Sequence, residues 1–103
     1  MNEETFKLRL AKLRTSKGVS ARDMSLSLGQ NAGYINNIET GKALPSMSMF
    51  FCICEFLEIT PIQFFDIDNE FPNEIDKLTA NLKKLSDRQL SNISEIVEDL
   101  IKK

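Results

Sequence analysis

The side chains with the strongest chemistry are scarce in this chain. It contains no histidine and two cysteines, Cys52 and Cys54. Zinc sites of the Cys/His type, Ser-His-Asp triads and Cys-His pairs are therefore excluded. Cysteines two apart point to different faces of a helix and cannot staple distant segments, so both read as small apolar packing residues. Carboxylates such as Asp66 and Asp68 lie in an acidic stretch with no glycine-rich phosphate loop and no metal-ligand spacing around them. No catalytic residue, no cofactor and no metal is expected. An enzyme is the poorest of the available readings.

What remains is charge and shape. Residues 1–48 carry seven basic and four acidic side chains, a balance of +3, whereas residues 49–103 carry six basic and eleven acidic, a balance of −5. A sequence-blind nucleic-acid coat would be basic throughout, but a local basic face on the first half is possible. At 103 residues with 42% hydrophobic content the chain matches one ordinary globular domain with a core of its own. The longest apolar run, Met49 to Cys54, is far short of the ~20 residues needed to span a bilayer. The opening Met1-Asn2-Glu3-Glu4 is acidic where a signal peptide would be basic. The expectation is a cytoplasmic protein with no membrane partner.

The elements that must position any site are helical, and their boundaries are marked by caps. A first helix is predicted from about Glu4 to Ser16, with Phe6, Leu10 and Leu13 on one face and Lys17-Gly18 as its stop. Ser20 caps a second helix that Gly29 ends, and Asn31 is the natural N-cap of a third running through Glu39. Ser46 caps a fourth, Met47 to about Leu57, apolar around most of its circumference and so expected at the centre of the core. Thr60-Pro61-Ile62-Gln63 opens a short fifth to Phe65. Asp66 to Asn73 reads as a linker. Beyond it Ile75, Leu78, Leu82 and Leu85 are spaced 3, 4, 3, and Leu90, Ile93, Val97 and Leu100 repeat the pattern after a five-residue step. Ser86 with Gln89 forms a capping box at that break, giving two tail helices, roughly 73–85 and 87–102.

Residues 20–41 thus form two short helices joined by a glycine-containing turn, an arrangement whose second helix can lie in a DNA major groove. The sequence around it resembles the Cro/repressor-type (XRE-like, lambda-repressor-like) helix-turn-helix family. The resemblance is carried over residues 8–65 by Leu13-Arg14, Lys17-Gly18-Val19-Ser20, Leu26-Ser27-Leu28-Gly29, Tyr34-Ile35-Asn36-Asn37-Ile38-Glu39-Thr40-Gly41-Lys42, Pro45-Ser46, and Leu57-Glu58-Ile59-Thr60-Pro61 with Phe64-Phe65. It implies an all-α fold: a five-helix DNA-binding domain over 1–66, followed by a linker and two C-terminal helices over 67–103.

The resemblance also implies roles for single residues. Arg14 and Glu39 match a structural ion pair, and an acid at a helix C-terminus needs such a partner against the dipole. Base reading falls to Ala32, Gly33, Asn36 and Asn37, with Asn37 foremost because asparagine can bond adenine bidentately. Phosphate contact falls to Ser20, Arg22, Asn31, Thr40, Lys42 and backbone amides. Two positions depart from the family pattern: Ala21 stands where glutamine is frequent, and Gln30 where the residue is commonly apolar. The expected function is a sequence-specific, repressor-like regulator whose partner is double-stranded DNA. It is expected to be a homodimer through Leu82, Leu85, Leu90, Ile93, Val97 and Leu100. The alternative is an antitoxin-like or accessory interaction module with secondary DNA binding.

Overall fold

The computed structural model describes residues 1–68 and 72–102. Seven helices account for the described secondary structure, and there is no strand among the described residues. The helices are α1 (Glu3–Lys17), α2 (Ala21–Ser27), α3 (Tyr34–Glu39), α4 (Met47–Leu57), α5 (Pro61–Phe65), α6 (Pro72–Leu82) and α7 (Asp87–Ile101). They fall into two compact units, Met1–Asp68 and Asn69–Lys103.

In the first unit local chemistry sets each boundary. Asn2 accepts a hydrogen bond from the Thr5 amide to start α1, and Gly18 ends it in the left-handed conformation at φ 78°. Ser20, Ser46 and Thr60 perform the same N-terminal task for α2, α4 and α5, and the Thr60–Gln63 capping box is complete in both directions. Each such cap satisfies amides that the first helical turn cannot.

The core of this unit is Leu10, Met24, Ile35, Ile38, Phe50, Ile53, Cys54, Leu57 and Phe64. Phe6 and Phe50 both pack against Phe64 with ring centroids 5.1 Å apart, Phe50 edge to face, so α1, α4 and α5 meet at one aromatic contact. Arg9 reinforces that junction from α1. Its guanidinium donates to the carbonyls of Phe64 (2.6 Å) and Gln63 (2.8 Å) at the end of α5, the second of which also accepts from the Asp66 amide. Helix α4 is less enclosed than its composition suggests. Phe50, Ile53, Cys54 and Leu57 are buried, but Met47, Phe51 and Cys52 face solvent. The expectation that both cysteines pack inward therefore holds for Cys54 alone, since residues two apart on a helix cannot share its buried face. Burial pushes the Cys54 thiol pKa up by disfavouring the thiolate.

The second unit starts earlier and breaks earlier than the sequence suggests. Pro72, expected in a linker, is the first helical residue of α6, a position where its missing N–H forfeits nothing. Residues 69–71 of the expected linker lie outside the described residues. Helix α6 stops at Leu82 rather than 85 because the chain tightens there: Lys84 and Leu85 bond back three residues, to Asn81 and Leu82. Ser86 then needs extended backbone to accept from the Gln89 amide and open α7. No described residue of this unit is fully buried. Leu82 and Leu85 are half-buried beside the turn, and exposure rises to 78% at Leu100.

Among the described residues no helix is long and apolar enough to cross a membrane.

Candidate nucleic-acid interface

Helix α3 has six residues, too few to be stable by its own hydrogen bonds. Its placement must come from neighbours, and both of its ends are held. At the N-terminus the expected cap is displaced. Gly33 occupies the cap position and supplies no side chain. Asn31 lies two residues earlier, where its Oδ1 accepts from the Gly33 amide at 3.1 Å and its carbonyl from the Tyr34 amide. The asparagine side chain thus closes the turn rather than the helix, a local alternative that asparagine readily takes. Gly29 makes the approach possible, with φ +75° in a region closed to most side chains.

The missing cap is provided across the motif by Ser25 of α2. Its hydroxyl is fully buried, donates to the Ala21 carbonyl at 2.7 Å and accepts from the Ile35 amide at 2.9 Å. One oxygen therefore satisfies an orphan donor in the first turn of α3 while staying tied to its own helix. At the other end Arg14 of α1 grips Glu39 in a bidentate contact, Nε to Oε2 at 2.7 Å and Nη2 to Oε1 at 2.9 Å, and donates a third bond to the Val19 carbonyl. Little of either side chain is exposed, 16% and 11%. The hydrogen bond to Glu39 raises the Arg14 pKa above its already high value, outweighing the opposing effect of burial. The pair ties α1 to the end of α3 and neutralises a carboxylate that would otherwise face the negative end of the helix.

With its ends fixed, α3 presents a defined outer face. Asn36 and Asn37 are exposed, and among the described residues no hydrogen bond within the chain engages their side-chain amides. Ala32 is half-buried and Gly33 exposed, with open space beside it except for Asn31 Oδ1 at 3.6 Å from a notional Cβ. Of the residues expected at phosphate, Ser20, Arg22, Asn31 and Lys42 are exposed. Ser20 accepts from the Asp23 amide, which leaves its hydroxyl proton for another acceptor. Thr40 is different: its hydroxyl donates to the Asn36 carbonyl at 2.8 Å, so contact with a phosphate would require breaking that bond.

The two departures from the family pattern are also placed. Ala21 packs against the core, and the half-buried Gln30 amide donates to Met49 Sδ at 3.7 Å, holding the turn against α4. Sequence reasoning missed Ser25, Arg9 and Lys7. The signal for Ser25 was a small polar residue beside Met24 on the inward face of α2, four residues before the turn glycine. Lys7 lies alongside Gly41, its Nζ 3.6 Å from where a Cβ would stand, and pairs with Glu4 at 2.9 Å. No group of metal-ligating side chains is assembled among the described residues.

Comparison with known families agrees with this geometry. Residues 10–64 match a helix-turn-helix family model, and the chain belongs to that XRE-type, lambda-repressor-like family of DNA-binding transcription regulators. A search of curated proteins gave no match.

Two substitutions test how α3 is held. Arg14→Ala leaves Glu39 nearly buried and unpaired, and should cost about 3 kcal/mol, lowering Tm by roughly 10 °C or more in a unit of this size. Ser25→Ala strands the Ile35 amide and should cost about 1–2 kcal/mol. Thermal unfolding followed by circular dichroism checks both, and an unchanged melting temperature in either variant would contradict the corresponding anchor.

Proposed function

We propose that this chain is a dimeric, sequence-specific DNA-binding regulator that enters the major groove with residues 31–39 and acts as a repressor by occupying its site. The observation that carries the reading is the outer face of α3. Two exposed carboxamides, Asn36 and Asn37, stand on a helix whose ends are clamped by Ser25 and Arg14. Base-edge recognition requires such fixed donors and acceptors, because a hydrogen-bonding pair tolerates little displacement. Ser20, Arg22, Asn31 and Lys42 supply phosphate contacts around that face, in the half of the chain with excess positive charge. Such contacts fix register on the duplex and leave sequence reading to α3.

The dimer is assigned to α6 and α7. Ile75, Leu78, Leu90, Ile93, Val97 and Leu100 all remain substantially exposed at helical spacing, with Leu82 and Leu85 half-buried between them. Short helices are marginal unless such a stripe is packed, and a second copy provides the packing while doubling the contacts to DNA.

Asn37→Ala should weaken binding to an operator selected in vitro from random duplexes by about 1–3 kcal/mol with no loss of thermal stability. In the same titrations the wild-type dimer should show a log–log salt slope of about −4 to −8, each neutralised phosphate contributing roughly −0.9. A slope near zero would point instead to an antitoxin-like or accessory interaction module.

For the dimer, Ile93→Glu combined with Val97→Glu should yield a folded monomer by sedimentation and reduce operator affinity by at least about tenfold, the order expected when two linked contacts become one. Dimers of undiminished affinity would place the interface elsewhere.

A further inference from the structure

The structure determines which hydrogen-bonding groups on and around α3 are left for a base. In the major groove guanine is read by arginine or lysine at O6 and N7, and cytosine by a carboxylate that accepts from N4. Adenine is read by asparagine or glutamine at N6 and N7, and thymine through its methyl group. The carboxylate on α3 is Glu39, and both of its oxygens are engaged by Arg14. The Arg14 guanidinium is in turn consumed by Glu39 and the Val19 carbonyl. Gln30 is half-buried with its amide on Met49, and the Thr40 hydroxyl proton is on the Asn36 carbonyl. No lysine or arginine lies between Ala32 and Glu39; the flanking cations are Arg22 at the start of α2 and Lys42, beyond the end of α3.

Among the four residues assigned to base reading, what is left is two exposed carboxamides, Asn36 and Asn37, and one methyl group, Ala32. Gly33 contributes close approach and no side-chain bond. We infer that the half-site facing α3 is built on A·T pairs: Asn37 and Asn36 bond adenine N6 and N7, and Ala32 lies against a thymine methyl. The inference rests on the proposed reading of α3 as the recognition helix. It is narrower than that reading, because the same helix could dock equally well with other side chains selecting G·C.

The test is selection of binding sites by the full-length chain from a duplex library randomised over about 30 base pairs, long enough for two half-sites one helical turn apart. The expected result is a half-site core of A·T pairs. Replacing one contacted A·T pair by G·C should weaken binding by roughly 5- to 150-fold, the range for a lost bidentate pair. Replacing the adenines of the half-site one at a time by 7-deazaadenine, which keeps the base pair but lacks the N7 acceptor, should also weaken wild type, and the penalty at the position read by Asn37 should vanish in Asn37→Ala. A selected core of G·C pairs, with Asn37→Ala still impairing binding, would overturn the A·T inference and leave the recognition helix in place. Failure to enrich any sequence would overturn both.

Discussion

The first unit depends on one constraint: its central helix is too short to hold itself. Six residues close very few internal hydrogen bonds, and the nucleation penalty for so short a helix is not recovered by propagation. Helix α3 exists because Ser25 satisfies an amide at one end, Arg14 neutralises a carboxylate at the other, and Ile35 and Ile38 are buried between them. Each anchor comes from a different neighbour, Ser25 from α2 and Arg14 from α1. The helix thus has little freedom to slide or rotate independently of the domain. On the proposed reading, in which this surface meets base edges, such fixity matters more than length.

The same anchoring restricts chemistry. Polar groups near the reading face were drawn into the fold: Glu39 and Arg14 into each other, Thr40 onto a backbone carbonyl, Gln30 onto a sulfur. The exposed side chains of α3 itself, Asn36 and Asn37, are small and neutral. On the proposed reading each protomer then has modest discriminating power, and specificity must come from pairing two such faces and from the shape of the duplex between them. The exposed stripes of α6 and α7 are consistent with that demand.

Much of this was legible in the residues. Helix starts followed from Ser20, Ser46, Thr60 and Ser86, because a hydroxyl accepting from an amide three residues on is a local event with a local signature. Asn31 misled because asparagine serves two local geometries, a helix cap and a closed turn, and the sequence does not show which amide its side chain reaches. Pro72 misled for a related reason, since proline both breaks helices and begins them. Two of the missed residues share one property: Ser25 and Arg9 act on backbone groups far away in the chain, ten and 55 residues from their own positions. A serine on a helix face and an arginine among other basic residues look ordinary until the fold brings those partners to them.

The reach of Arg9 has a consequence for synthesis. The guanidinium that completes the end of α5 emerges from the ribosome 55 residues before the Phe64 carbonyl it binds. At roughly 5–20 residues per second, α1 waits several seconds for that partner. Phe6 waits equally long for the Phe64 ring that covers it. Closing so long a loop is entropically costly until many contacts form together. The unit should therefore fold late and at once, after its last helix has cleared the exit tunnel, rather than assembling from the N-terminus as the chain lengthens.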